Sequence, residues 1–201
     1  MGKFIRLKKG FDINLAGKAA PKLSSAEQPE TFAIKPTDFQ GIYIPKVVVN
    51  EGDTVKAGSP LFHDKKKEKI VFTSPVSGEV VEVRRGEKRK LLEVVILADR
   101  TIEYVSFPKY TVSEIGAVSR EKAQVQMLAS GVWLNLIQRP YGIVADPEET
   151  PKSIFISGFD SHPLAPDYNF LFKGQEQFFQ AGIDILKKFT QGQIHLNVHS
   201  A

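Results

Sequence analysis

The chain of 201 residues has no cysteine, two methionines and one tryptophan. Without cysteine there can be no disulfide framework, thiolate metal site, iron–sulfur cluster or cysteine nucleophile. That absence agrees with a reducing compartment. Long hydrophobic runs are also lacking: 91–98 and 127–137 are the longest apolar stretches, and they are too short or too interrupted to span a bilayer. The N-terminus, M-G-K-F-I-R-L-K-K-G-F-D, has basic residues but no continuous apolar core, so it does not read as a secretory signal. No Ser/His/Asp triad, paired-carboxylate acid–base motif or P-loop can be assembled from the residues. The expectation is a chain soluble by itself, with no self-contained catalytic centre.

What is present is enough for a core. Apolar residues make up 42% and charged residues 25%, with a formal net charge of +4, the profile of an ordinary globular protein with one or two domains. Part of the positive charge sits in short clusters, Lys65-Lys66-Lys67, Arg84-Arg85 and Lys88-Arg89-Lys90. Clusters of this kind can meet phosphates or an anionic membrane surface. On an edge-rich β domain they are also ordinary solvated turn lysines.

Residues 41–99 carry the strongest pattern. Two V-x-x-G-[D/E] turns, Val49 to Gly52 and Val83 to Gly86, are joined through a charged hairpin and the segment S-P-V-S-G. Short Val/Ile runs broken by Gly-acid pairs are hairpin signals, with glycine expected to supply positive φ. The pattern resembles the biotinyl/lipoyl type of barrel-sandwich. Residues 1–40 read as an arm, 41–100 as the barrel-sandwich, and 101–201 as a partial Rossmann-like α/β domain. In that last part Ser119 caps a helix running to about Ser130, with Val125 and Leu128 on one face and Gly131 as its stop. V-W-L-N-L-I-Q reads as a second short helical run ending before Arg139-Pro140. Then come a strand at Ser153–Ser157, a loop at Gly158–Pro166, a helix over 175–190, and a strand with Ile194, Leu196 and Val198 alternating. The helix stripe places Phe178, Phe179, Ile183, Leu186 and Phe189 toward the core. A two-stranded parallel sheet needs more strands to be buried on both faces, so an N-terminal fragment of a larger polypeptide is expected.

The ordered set K-K-G-F-D-I-N-L-A-G, E-G-D-T-V-K-A-G, S-P-V-S-G with R-R-G-E-K-R, L-A-S-G-V-W…Q-R-P and D-S-H-P-L-A resembles the A-subunit family of bacterial sodium-translocating NADH:quinone oxidoreductases. The resemblance implies a peripheral protein on the cytoplasmic side of the inner membrane, docked on the other subunits of the complex and associated with quinone. The complex uses NADH, flavins, an iron centre and quinone; no cofactor is implied for this chain. Flavin-binding relatives in complex I and in Rnf complexes carry a glycine-rich phosphate cradle. Here the matching stretch is Leu128-Ala-Ser-Gly-Val-Trp133, with one glycine, and their Glu-Pro pair is His162-Pro163. Alternatives are an Rnf-type electron-transfer protein that keeps FMN and a biotin/lipoyl-type carrier.

Candidate quinone contacts are Trp133, Arg139, Tyr141, Phe159, Asp160 and His162. Trp133 and Phe159 offer aromatic walls, which a quinone ring and tail require; a core position is the commoner explanation for such a tryptophan. Arg139 can bond a quinone carbonyl or cap helix carbonyls. Asp160 and His162 follow a strand end, where open α/β sheets bind ligands, in a sequence that also makes a good turn. The residues from 131 to 141 and from 158 to 166 are expected to form two walls of one crevice. Asp64-Lys65 sits near the hairpin tip where a carrier would present its lysine, and counting back from Gly78 gives Lys67. His195 and His199, four apart on a strand, lie about 13 Å apart and cannot share an ion.

Overall fold

In a computed structural model the described residues are 13, 15–17 and 20–198. Most of the K-K-G-F-D-I-N-L-A-G motif, and His199, fall outside them. The first half builds two facing sheets. One holds β1 (Thr31–Ile34), β7 (Leu91–Ala98), β6 (Gly78–Arg85) and β3 (Thr54–Val55) in that order; the other holds β2 (Pro45–Val47), β4 (Pro60–Asp64) and β5 (Lys67–Thr73). All their pairings are antiparallel. Alternation turns Phe62, Ile70, Phe72, Val80, Val94 and Ile96 inward, where they are essentially fully buried, and Leu61, at a register shift between Pro60 and Phe62, is buried as well. Phe72 stacks on Phe62 at 4.6 Å and meets the edge of Phe39 at 4.7 Å, contacts that add to plain area burial.

Two local expectations are corrected here. Residues 31–38 are not an irregular arm: β1 pairs with β7 through Thr31↔Leu97 and Ile34↔Val94, and a 3-10 turn follows at Pro36–Asp38. T-F-A-I is a short β-branched and aromatic strand, covering an edge that β7 would otherwise expose. The two Gly turns also differ. Gly52 has φ +90, but Gly86 is extended at φ −98, and the left-handed positions of that hairpin are Lys88 and Arg89. Glycine at 86 serves close approach instead, since a Cβ there would lie 3.2 Å from the Leu92 side chain.

The second half contains α1 (Arg120–Ala129), β8 (Ile137–Gln138), β9 (Ile143–Val144), β10 (Ile154–Ser157), α2 (Tyr168–Leu171), α3 (Glu176–Leu186) and β11 (Ile194–Asn197). Ser119 Oγ accepts the Lys122 N–H and Gly131 takes a left-handed φ of +76 past the helix end, as the start and stop signals require. Val125 does not face the core, however; Ala123 and Leu128 are buried and Met127 packs beside them. The V-W-L-N-L-I-Q run is a single 3-10 turn at Val132–Asn135 followed by β8, which pairs with β9 in a small hairpin. β10 and β11 are parallel and joined through α3, the expected βαβ unit. One hydrophobic core runs through both halves, from Phe62 and Phe72 to Leu128, Trp133, Val144 and Phe189.

Candidate functional site

The parallel pair β10 and β11 has two ends, and the candidate residues divide between them. At the carboxyl end of β10, Asp160 Oδ1 accepts the backbone N–H of His162 at 2.9 Å and lies 2.6 Å from its Nδ1. The turn chemistry of Asp-Ser-His-Pro therefore closes the loop on itself, and the His162 imidazole stands in solvent, 85% exposed. The backbone N–H of His162 and then its ring hold the Asp160 carboxyl below the usual carboxylate range. Phe159 is half-buried beside them.

A cleft of about 360 Å³ runs along α3 against β10, walled by Ile156, Phe172, Phe178, Phe179, Ile183 and Leu186. Its walls are almost wholly apolar. Contrary to the expected core stripe, Phe178 is 60% exposed at the cleft rim, while Phe179, Ile183 and Leu186 are half-buried. A two-stranded sheet is too narrow to cover the full apolar stripe of an eleven-residue helix. The sequence signal for this cleft is the run F-L-F-K-G-Q-E-Q-F-F, which puts Phe172 just past α2 and Phe178 and Phe179 in the first turn of α3.

Trp133 lies at the other end. Its indole N–H donates to the Ala145 carbonyl at 2.9 Å, and its ring meets the edge of Phe189 at 5.3 Å. Phe189 precedes β11, and Thr190 Oγ1 donates to the Pro151 carbonyl at 2.7 Å, so this cluster sits where the two strands begin. Trp133 is a satisfied core residue. Arg139 and Tyr141 occupy the exposed tip between β8 and β9, next to a cis Arg139–Pro140 bond. Trp133 thus lies near the ends where β10 and β11 begin, whereas Asp160 and His162 follow the end of β10.

The one glycine of Leu128–Trp133 is already committed. Gly131 ends α1 in the left-handed region, and a Cβ there would lie 2.5 Å from Thr73 Oγ1 on β5. A phosphate cradle needs consecutive backbone amides open to a ligand; this segment is instead pressed against the barrel, and it does not fit a flavin phosphate. Among the described residues no group of three His, Asp or Glu side chains is placed to hold a metal ion. His195 stacks flat on Phe155 at 4.5 Å. Beside the hairpin tip, at the start of β5, Lys67 Nζ reaches Asp146 Oδ2 at 2.7 Å, whereas a carrier lysine must swing free.

Two family models match the chain, the NqrA N-terminal barrel-sandwich hybrid domain over residues 5–99 and the NqrA second alpha/beta domain over residues 118–201. The chain belongs to the NqrA family. Similar proteins include the A subunit of the Na(+)-translocating NADH-quinone reductase from Serratia proteamaculans, 36% identical over 193 residues, or 96% of this chain and 43% of the relative. Its counterpart from Alcanivorax borkumensis is 38% identical over 191 residues, 94% of this chain and 42% of the relative. A third, from Tolumonas auensis, is 37% identical over 192 residues, 96% of this chain and 43% of the relative. The chain thus spans less than half the length of these curated relatives. Among the described residues no helix is long and apolar enough to cross a membrane.

Proposed function

We propose that this chain works within a membrane complex that oxidises NADH, reduces quinone and moves sodium ions, as a peripheral component on the cytoplasmic side that holds no flavin of its own. The names of its relatives, each the A subunit of a Na(+)-translocating NADH-quinone reductase, support the membership. The observation that carries a quinone role is the apolar cleft along α3, whose wall includes Ile156 of β10, the strand that leads into the loop with Asp160 and His162. A quinone needs an apolar enclosure for ring and tail and a few polar groups for its carbonyls. The cleft supplies the first; His162, on the loop that follows β10, is the candidate for the second. Arg139 and Tyr141, at an exposed tip, suit contact with a neighbouring subunit or with a quinone shared between subunits. Trp133 acts at a distance, by fixing the segment that carries them.

The cleft is half open, so quinone affinity of this chain alone is weak, and partner surfaces complete the enclosure. The test is a photoreactive quinone analogue applied to the chain within its assembled complex, followed by peptide mapping. Adducts on Phe172, Phe178 or Phe179, reduced by Phe178→Ala, are the expected result. Adducts confined to residues outside 156–186 would overturn the placement.

A further inference from the structure

The basic clusters that look like scattered turn residues in the sequence meet at one end of the barrel. The hairpin between β4 and β5 presents Lys65 and Lys66. The hairpin between β6 and β7 presents Lys88, Arg89 and Lys90, and Arg85 stands at its base. A cleft of about 520 Å³ lies between the two, lined by Ile44, Lys46, Lys65, Glu68 and Arg85, so β2 contributes a further cation. All seven of these lysines and arginines are exposed, and among the described residues none of them forms an ion pair. The remaining cations of the same strands behave differently: Lys67, Lys69 and Arg84 each hold a carboxylate. Against the seven stand Glu68 and Glu87, while Asp64 is buried and its carboxylate accepts the Lys66 N–H.

Apolar groups accompany the charge. Tyr43 is 78% exposed and Ile44 about half exposed; the Ile44 carbonyl accepts the Lys65 N–H at 2.9 Å, which holds the Ile44 backbone beside the tip, with Tyr43 the preceding residue. Unpaired cations on projecting hairpins, with an aromatic and an aliphatic side chain between them, match a bilayer interface. Ammonium and guanidinium groups meet lipid phosphates there, and tyrosine settles at headgroup depth.

We propose that this end of the barrel docks on an anionic phospholipid surface, with Lys46, Lys65 and Arg85 receiving headgroup phosphates and Tyr43 and Ile44 entering the interface. The docking surface lies on the barrel, and its test involves no quinone, so it stands or falls separately from the quinone reading.

The experiment is sedimentation of the 201-residue chain with vesicles of equal parts phosphatidylcholine and phosphatidylglycerol, against pure phosphatidylcholine. Binding to the anionic vesicles alone, weakening as salt rises, is expected. Lys65→Ala with Arg85→Ala should reduce partitioning by about twentyfold or more, at about fivefold per cation near the surface. Lys56→Ala with Lys69→Ala, which removes the same net charge from residues already paired with Glu103 and Glu148, should change it little. Tyr43→Ser with Ile44→Ser should weaken binding while leaving its salt dependence in place. Equal loss in the two double variants that remove cations would mean general charge attraction and would overturn the site. Absence of vesicle binding would overturn it too, and so would binding of soluble polyglutamate without vesicles, which would mark an acidic protein segment as the occupant.

Discussion

Lys67 Nζ and Asp146 Oδ2 lie 2.7 Å apart across the junction between the barrel and the α/β segment. Lys69 and Glu148 repeat the contact at 2.5 Å. Both lysines project from β5, and both acids come from the loop after β9, so the hairpin resembling a carrier arm is instead a strut between the halves.

Breaking the inner pair should cost little. The side chains of Lys67 and Asp146 are 34% and 25% exposed, and solvent screening holds such a pair to about 0.5–1 kcal/mol. The Lys67 ammonium, and then the Glu148 N–H, holds the Asp146 carboxyl below its ordinary range. A depressed folded-state pKa stabilises above the unfolded value, about 3.9 for aspartate, and the contribution is lost as pH falls through the folded value. Thermal melts of Asp146→Asn should therefore trail the wild type at neutral pH and converge with it in strong acid. An undiminished gap well below about pH 3 would contradict the pair.

Trp133 should behave as a core residue. It is the only tryptophan, so its emission should be blue-shifted when folded and shift red in a single step with denaturant. Trp133→Phe leaves the Ala145 carbonyl without its donor and should cost about 1–3 kcal/mol. Trp133→Ala, which also opens a cavity against Phe189, should cost about 3–5 kcal/mol. Solvent-like emission in the native state would refute the placement.

Gly131→Ala should destabilise by about 1–3 kcal/mol, because alanine must hold a left-handed φ and its Cβ meets Thr73 Oγ1. Adding Thr73→Ala relieves the contact but not the backbone, so denaturant midpoints should recover only in part. Full recovery would show that φ carries no cost there.

Titration of FMN or NADH into the chain should show no micromolar binding, because Gly131 is committed to a helix end and to β5. Calorimetry giving a stoichiometric micromolar site would sink the flavin-free reading.

The Asp160 carboxyl should titrate below the ordinary aspartate range in carbon-detected NMR. His162→Ala should restore only part of the difference, since the backbone N–H, the larger cause, survives the substitution. Complete restoration would assign the effect to the ring alone.

The sequence by itself determined the elements whose cues are local. Alternating Val/Ile runs specified β6 and β7, Ser119 and Gly131 bounded α1, and the strand–helix–strand order required a parallel pair, because these signals act over a few residues. Tertiary contact decided the rest. Whether Thr31–Ile34 forms a strand depends on the free edge of β7, far along the chain. Which face of α1 is buried depends on β5, and how much of the Phe178 stripe stays open depends on how narrow the sheet beneath it is. The Trp133 and Asp160–His162 clusters fall at opposite ends of that sheet because chain direction, invisible in composition, sets where a strand begins and ends. Lys46, Lys65 and Arg85 share one surface only because two sheets fold face to face.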